Sequence, residues 1–157
     1  MSSPLILAAL CALMLLAIAS IRRVPEGHVY TFRRMDGHVR IVGSGTHLVV
    51  PLIERVAHKI SLAGATTAID DLVHAQWRYR AVVYFQVLDP QRADVVIQDL
   101  ENVLYTTTHR LFDAAMSSAD DMDACRRWLK QHLNDDLREN GLLIARVDLA
   151  RVDLAAA

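Results

Sequence analysis

Residues 5–19 read Leu-Ile-Leu-Ala-Ala-Leu-Cys-Ala-Leu-Met-Leu-Leu-Ala-Ile-Ala, and no charged side chain precedes Arg22. Such a run must satisfy its backbone amides internally wherever water is absent, and a helix is the open-chain way to do so. Over residues 4–21 a helix rising ~1.5 Å per residue covers ~27 Å, close to the ~30 Å of a hydrocarbon core. Pro4 suits the first helical turn, where its missing N–H costs little. The run therefore predicts a transmembrane anchor over 4–21, with Leu5, Leu10, Leu13, Leu16 and Ile21 facing lipid. Ala17-Ile18-Ala19 has the small-x-small form of a signal-peptide cleavage site. Met1-Ser2-Ser3 carries no positive side chain, however, and the run is long for a signal peptide, so an uncleaved anchor is the expectation.

Arginines set the expected orientation. Arg22, Arg23, Arg33 and Arg34 form a juxtamembrane basic set with no counterpart before the run. Positive-inside bias then predicts a single-pass protein, N-terminus out and domain cytoplasmic (N-out/C-in). The formal net charge is -1, but it is unevenly spread. Residues 1–60 hold seven Arg/Lys against three Asp/Glu, and residues 61–157 hold ten against fifteen. A basic shoulder of this kind favours anionic headgroups of a lipid bilayer. The near-zero net charge and 6% aromatic content argue against a nucleic-acid partner.

Residues 24–62 read as short β-runs punctuated by Gly27, Asp36-Gly37, Gly43-Ser44-Gly45 and Pro51. Asp36-Gly37 has the form of a two-residue hairpin turn. In residues 76–88, Trp77, Tyr79, Ala81, Val83, Phe85 and Val87 alternate with Arg78, Arg80, Val82, Tyr84, Gln86 and Leu88, which predicts a long strand. The apolar end of the second set predicts a strand running from solvent into a covered region. Asp89-Pro90 signals a helix start, and a 3.6-residue stripe runs from Ala93 to Met116. A second helix opens near Ser118-Ala-Asp-Asp121 and ends at Asn140-Gly141, and residues 142–149 form a closing strand. The expected class is α+β, with an antiparallel or mixed sheet and two packed helices.

Chemistry-bearing patterns are weak. His28, His38, His47 and His58 fall about one per β-segment, but no H-x-x-x-H or C-x-x-C pair occurs. Asp70-Asp71, Asp120-Asp121 and Asp135-Asp136 diverge in direction as neighbours must, and suit turns and caps. Gly43-Ser44-Gly45 matches neither a nucleophile elbow nor a dinucleotide loop. Arg78 and Arg80 read as an exposed arginine ladder, and Cys125 as helix packing. No catalytic residue, cofactor or metal is expected, and the chain is not read as an enzyme.

Three stretches carry a resemblance. Val24-Pro25-Glu-Gly27 leads on to Arg33; Gly45-Thr-His47 leads to Pro51 and Val56; and Val82-Val-Tyr84 leads through Gln86-Val87 to Asp89-Pro90. In this order after an apolar segment, they resemble the stomatin/prohibitin/flotillin family, the band 7 or SPFH domain. The motif residues are Pro25, Gly27, Gly45, His47, Pro51, Tyr84, Val87, Asp89 and Pro90. The resemblance implies an SPFH-type domain over 22–149 after the anchor, with a short Ala-rich tail over 150–157. It also implies a membrane-anchored scaffold that forms homo- or hetero-oligomers with SPFH subunits. Such scaffolds dock on membrane proteases or channels and organise membrane domains. In several relatives the segment equivalent to residues 48–53 lies at the membrane.

Two departures from the family pattern stand out. Residues 59–77 lack the usual hairpin signals, with Asp70-Asp71-Leu-Val-His74 in their place. The long C-terminal coiled coil is replaced by Arg146-Val-Asp-Leu-Ala150, repeated as Arg151-Val-Asp-Leu-Ala155. Ten residues are too few for a coiled coil. The alternative expectation is therefore a coil-less adaptor subunit that binds a full-length relative and modulates its assembly.

Overall fold

The computed structural model describes residues 3–51 and 53–152. Leu52, the Leu5 side chain and the tail beyond Val152 lie outside the described residues. The chain divides into two compact units, Met1–Ser61 and Leu62–Ala157.

The first unit opens with helix α1 (Ser3–Ala19), followed by β1 (Ile21–Val24), β2 (His28–Arg34), β3 (Val39–Val42), β4 (Gly45–Leu48) and β5 (Glu54–Ser61). Strand β1 pairs with β4, while β3, β2 and β5 form a separate three-stranded antiparallel sheet. The Asp36-Gly37 turn joins β2 to β3, with Gly37 at φ 86 and the Arg34 carbonyl accepting from its N–H at 3.0 Å. Phe32, Val42 and Val49 form one small core cluster, with Tyr30 packed against it, and Val24, Val29 and Ile60 are buried as well.

Helix α1 corrects the membrane expectation. Its 17 residues cover ~25 Å at ~1.5 Å per residue, short of the ~30 Å core. Among the described residues no helix is long and apolar enough to cross a membrane. The transmembrane span over 4–21 is therefore withdrawn, and with it the single-pass, N-out/C-in localisation and cytoplasmic domain. The physical reason lies at the C-terminal end of the run. Ser20 folds back on the helix, its Oγ donating to the Leu16 carbonyl at 2.7 Å. Ile21 then enters β1, opposite Leu48. Arg22 and Arg23 follow in the same strand, and Arg33 and Arg34 end β2, so the arginines counted as topology signals are strand residues.

The second unit contains β6 (Ala65–His74), β7 (Trp77–Val87), a short α2 (Pro90–Ala93), α3 (Leu100–Ser118), α4 (Met122–Leu137) and β8 (Leu142–Val152). The sheet order is β6-β7-β8, antiparallel throughout. With this sheet and its packed helices the chain is α+β. Tyr79, Ala81, Val83, Phe85 and Val87 are buried, as their alternation predicts. Leu88, expected under cover, is exposed. Buried Leu104, Leu111 and Phe112 of α3 and Leu129, Leu133 and Leu137 of α4 supply the helical side of the core. The Tyr79 and Phe112 ring centroids lie 5.5 Å apart.

The Ala93–Met116 stripe is not one helix. Residues 94–98 form successive turns, with Val96 N–H donating to the Ala93 carbonyl and Asp99 N–H to the Val96 carbonyl, both at 3.0 Å. Asp94, the β-branched Val95-Val96-Ile97 and Asp99 are poor helix formers. The Asp70-Asp71 segment does pair with β7, through a bulge between Ile69 and Leu72 that holds Asp71 at φ 62. A bulge accommodates the one extra residue without flipping the buried set to the wrong face.

Helix α4 covers the outer edge of β8. The Asn134 amide donates to the Ile144 carbonyl at 3.0 Å and accepts from its N–H at 2.9 Å. Arg126 donates to the Leu149 carbonyl at 2.8 Å. These bonds occupy ladder groups that an open edge would offer to another chain.

Gly141 closes the unit at the Asp89-Pro90 corner. It sits at φ 72, and a Cβ there would lie 2.4 Å from the Asp89 carbonyl oxygen. Its own carbonyl accepts from Leu88 N–H at 2.9 Å and Asp89 N–H at 3.1 Å. Gly141→Ala is expected to cost ~2 kcal/mol or more, combining a positive-φ penalty with the clash. Gly64→Ala, at ordinary φ with its nearest neighbour at 3.8 Å, is expected to change stability by less than ~0.5 kcal/mol. Both tryptophans lie in this unit, so urea titration followed by their fluorescence compares the two variants. Equal losses would refute the constraint at the corner.

Candidate functional site

The motif residues fall in both units, each with a local structural job. In the first unit Gly27 turns the chain between β1 and β2 at φ 73. Gly45 opens β4 at φ 131, opposite Val24. Its neighbour His47 is bonded through Nε2 to the Gly43 carbonyl oxygen at 2.9 Å, which braces the loop before β4. Pro51 lies in the connection from β4 to β5, where Ile53 and Glu54 N–H groups donate to the Val50 carbonyl at 3.0 and 2.8 Å. In the second unit half-buried Tyr84 points to the open side of the sheet and buried Val87 to its core. Asp89 accepts from Gln91 and Arg92 N–H at 3.0 and 3.3 Å, capping α2 with Pro90 in its first turn.

Four residues expected to face lipid, Leu10, Leu13, Leu16 and Ile21, are exposed, as are Ile6, Leu7, Met14, Leu15 and Ile18. These positions surround the whole circumference of α1, which has neither an apolar stripe nor a polar face. Leu48, Val50, Ile53 and Met35 extend the exposed apolar surface in the same unit. Leu48 stands opposite Ile21 in the ladder, and the Ile53 carbonyl accepts from Met35 N–H at 3.1 Å.

Beside this surface lies a charged cluster of which the sequence singled out only Arg33 and Arg34, as juxtamembrane arginines. Glu54 is buried, with only 4% of its side chain exposed, and its Oε1 accepts from Arg34 at 3.0 Å. Arg40 stands 3.9 Å from the same oxygen. Across the β2–β5 ladder Arg33 stands directly opposite Arg55, an arrangement of like charges that costs stability. A cavity of about 310 Å³ opens here, lined by Arg22, Phe32, Val49, Pro51, Arg55 and Val56, with Glu54 in its wall. Another hollow in the unit, about 560 Å³, carries Arg23 and Glu26 on its lining and gathers no comparable cluster.

Catalytic geometry is thin among the described residues. No three His, Cys, Asp or Glu side chains gather in a way that could hold a metal. His74 Nδ1 lies 3.3 Å from Asp113 Oδ1, but no hydroxyl or thiol is bonded to that imidazole, so this is a relay without a nucleophile. Cys125 is buried against Met116, and burial pushes its thiol pKa up, away from the reactive thiolate. Arg78 and Arg80 pair with Asp71 and Asp70, which neutralises the arginine ladder. No protein-family model matches the chain.

Glu54 is the hub of the charged cluster, because its loss leaves Arg34 and Arg40 uncompensated near the Arg33–Arg55 pair. Glu54→Ala is expected to destabilise the first unit by ~1–3 kcal/mol, and Glu54→Gln, which keeps an acceptor, by less. Hydrogen exchange at the β2 and β5 amides reads this directly. Unchanged protection in Glu54→Ala would refute the hub role.

Proposed function

We propose that the chain is a non-catalytic scaffold subunit of the stomatin-like kind. It self-associates, docks on partner membrane proteins such as proteases or channels, and so organises membrane domains. The observation that carries this reading is α1, an apolar helix exposed on every side. Burying a Leu or Ile side chain is favourable by roughly 1.5–3 kcal/mol, so the exposed side chains of α1 favour association, against the cost of ordering the partners. A helix lying flat at an interface needs a polar face, which α1 lacks. A cluster of several such helices, one from each copy, covers the side of each that faces its neighbours. The charge distribution supports the same reading. The basic first unit and the acidic second unit of neighbouring copies attract head to tail, a heterologous contact that propagates into rings or arrays. The three motif stretches that resemble the stomatin/prohibitin/flotillin family add the functional class.

Light scattering of the full chain in mild non-ionic detergent, with the detergent contribution subtracted, tests the reading. A uniform particle of several 17.5 kDa copies is expected. Leu10→Glu combined with Leu13→Glu should reduce it to the single-chain mass. A wild-type monomer would overturn self-association and move the chain to the adaptor role, binding a full-length relative.

A further inference from the structure

We propose that the cavity lined by Arg22 and Arg55 binds the head of a phosphate-bearing amphiphile, with the alkyl chain leaving over the neighbouring apolar surface. The inference stands apart from the scaffold reading, since it holds equally for a monomer.

Charge supplies the first argument. Most arginines of the chain have an acidic partner: Arg34 and Arg40 share Glu54, and Arg78, Arg80, Arg92, Arg110, Arg126 and Arg146 each reach an aspartate. Among the described residues the Arg22 and Arg55 side chains have no such partner, and both residues border one cavity, Arg55 from the edge strand β5. Arg55 also stands opposite Arg33, so the ladder concentrates positive charge that no acidic side chain pairs with among the described residues. The single acid in the wall, Glu54, is already engaged by two arginines. An anion entering the cavity therefore meets net positive charge. The guanidinium fork matches phosphate oxygens in pairs, which favours phosphate over a spherical anion.

The walls supply the second argument. Phe32, Val49, Pro51 and Val56 are apolar, so the cavity combines a few charged groups with a hydrophobic lining, as ligand sites do. Its volume, about 310 Å³, accommodates a headgroup and the first carbons of a chain but not a whole lipid. The chain has an apolar route out. Val50 and Ile53, flanking the Pro51 wall, are exposed, as are Leu48 and its ladder partner Ile21. A free phosphate would use the arginines and leave that route unused. A phosphocholine head would bring its own cation against Arg22 and Arg55.

Native mass spectrometry of the full chain, released from neutral maltoside micelles, tests the proposal with three probes: dihexanoyl phosphatidic acid, dihexanoyl phosphatidylcholine and inorganic phosphate. A one-to-one adduct with the phosphatidic acid is expected, with at least tenfold weaker binding of the other two. Arg22→Gln and Arg55→Gln should each weaken the phosphatidic acid adduct about tenfold. Arg23→Gln, which removes the adjacent arginine, outside the cavity lining, should change it less than twofold. Val56→Glu places a carboxylate in the half-open wall without touching the arginines, and should abolish the adduct while β2–β5 amide protection persists. Undiminished binding in the Arg22→Gln/Arg55→Gln double variant would overturn the site. Equal binding of phosphatidylcholine would overturn the charge argument, and equal binding of inorganic phosphate would overturn the amphiphile.

Discussion

The two-stranded ladder between β1 and β4 fixes where the apolar segment stops being a helix. Hydrophobicity alone would carry the helix through Ile21. The ladder instead places Ile21 opposite Leu48 and Val24 opposite Gly45, and the Val49 N–H reaches back to the Ser20 carbonyl at 2.8 Å. Each of these bonds competes with one more turn of helix. The strand is favoured because β-branched Ile21 and Val24 lose side-chain freedom in a helix and pack well on a pleated surface. Three features of the first unit follow from this switch. It shortens the apolar helix, puts Arg22 and Arg23 on a strand, and brings Arg22 to the same cavity as Arg55.

Where one short-range rule governed a segment, the fold was legible from sequence. Alternation along β7 separated buried from exposed residues because one face of the strand meets a core and the other does not. Asp121 marked the start of α4 because its side chain caps the Ala124 N–H, and Gly141, at φ 72, ends the 3-10 turn Arg138–Asn140 that follows α4. Where two rules competed, the sequence was misleading. A hydropathy count sees residues 4–21 as uniform, and strand pairing with residues 45–48, more than twenty positions away, decides the outcome. The 3.6-residue stripe through Ala93 concealed the break at residues 94–98, since turns can keep apolar residues in phase over a short gap. The Glu54 cluster was illegible for a different reason. Its members lie on three strands, and only the β3-β2-β5 order brings Arg34, Arg40 and Glu54 together.

The two units handle their polar groups in opposite ways. In the second, ladder groups at the β8 edge are taken up by Asn134 and Arg126, and the exposed arginines of β7 are paired with aspartates. Such bonds blunt the β8 edge against strand addition, while the unit keeps an acidic surplus of charge. In the first, one buried carboxylate serves two arginines while Arg33 and Arg55 oppose each other. A like-charge pair facing across a ladder persists only if the rest of the unit tolerates its cost. That cost falls when a counter-charge arrives from outside. Unpaired cations beside exposed apolar side chains therefore mark the first unit as the part of the chain built to be completed by something else.

Apolar cover and counter-charge are different requirements, and they separate the forces acting on the first unit. The exposed surface of α1 is non-directional; it supplies free energy in proportion to area and sets no register. The arginines supply little free energy while hydrated, but they discriminate by charge and geometry once water is displaced. A chain with α1 alone would associate without specificity. A chain with the arginines alone would bind anions weakly and lose them as salt rises. The ladder that ends α1 also fixes Arg22 next to the apolar rim, so burial of one lowers the local dielectric around the other. Hydrophobic association then strengthens the anion contacts, and the anion contacts restrict which apolar surface is accepted.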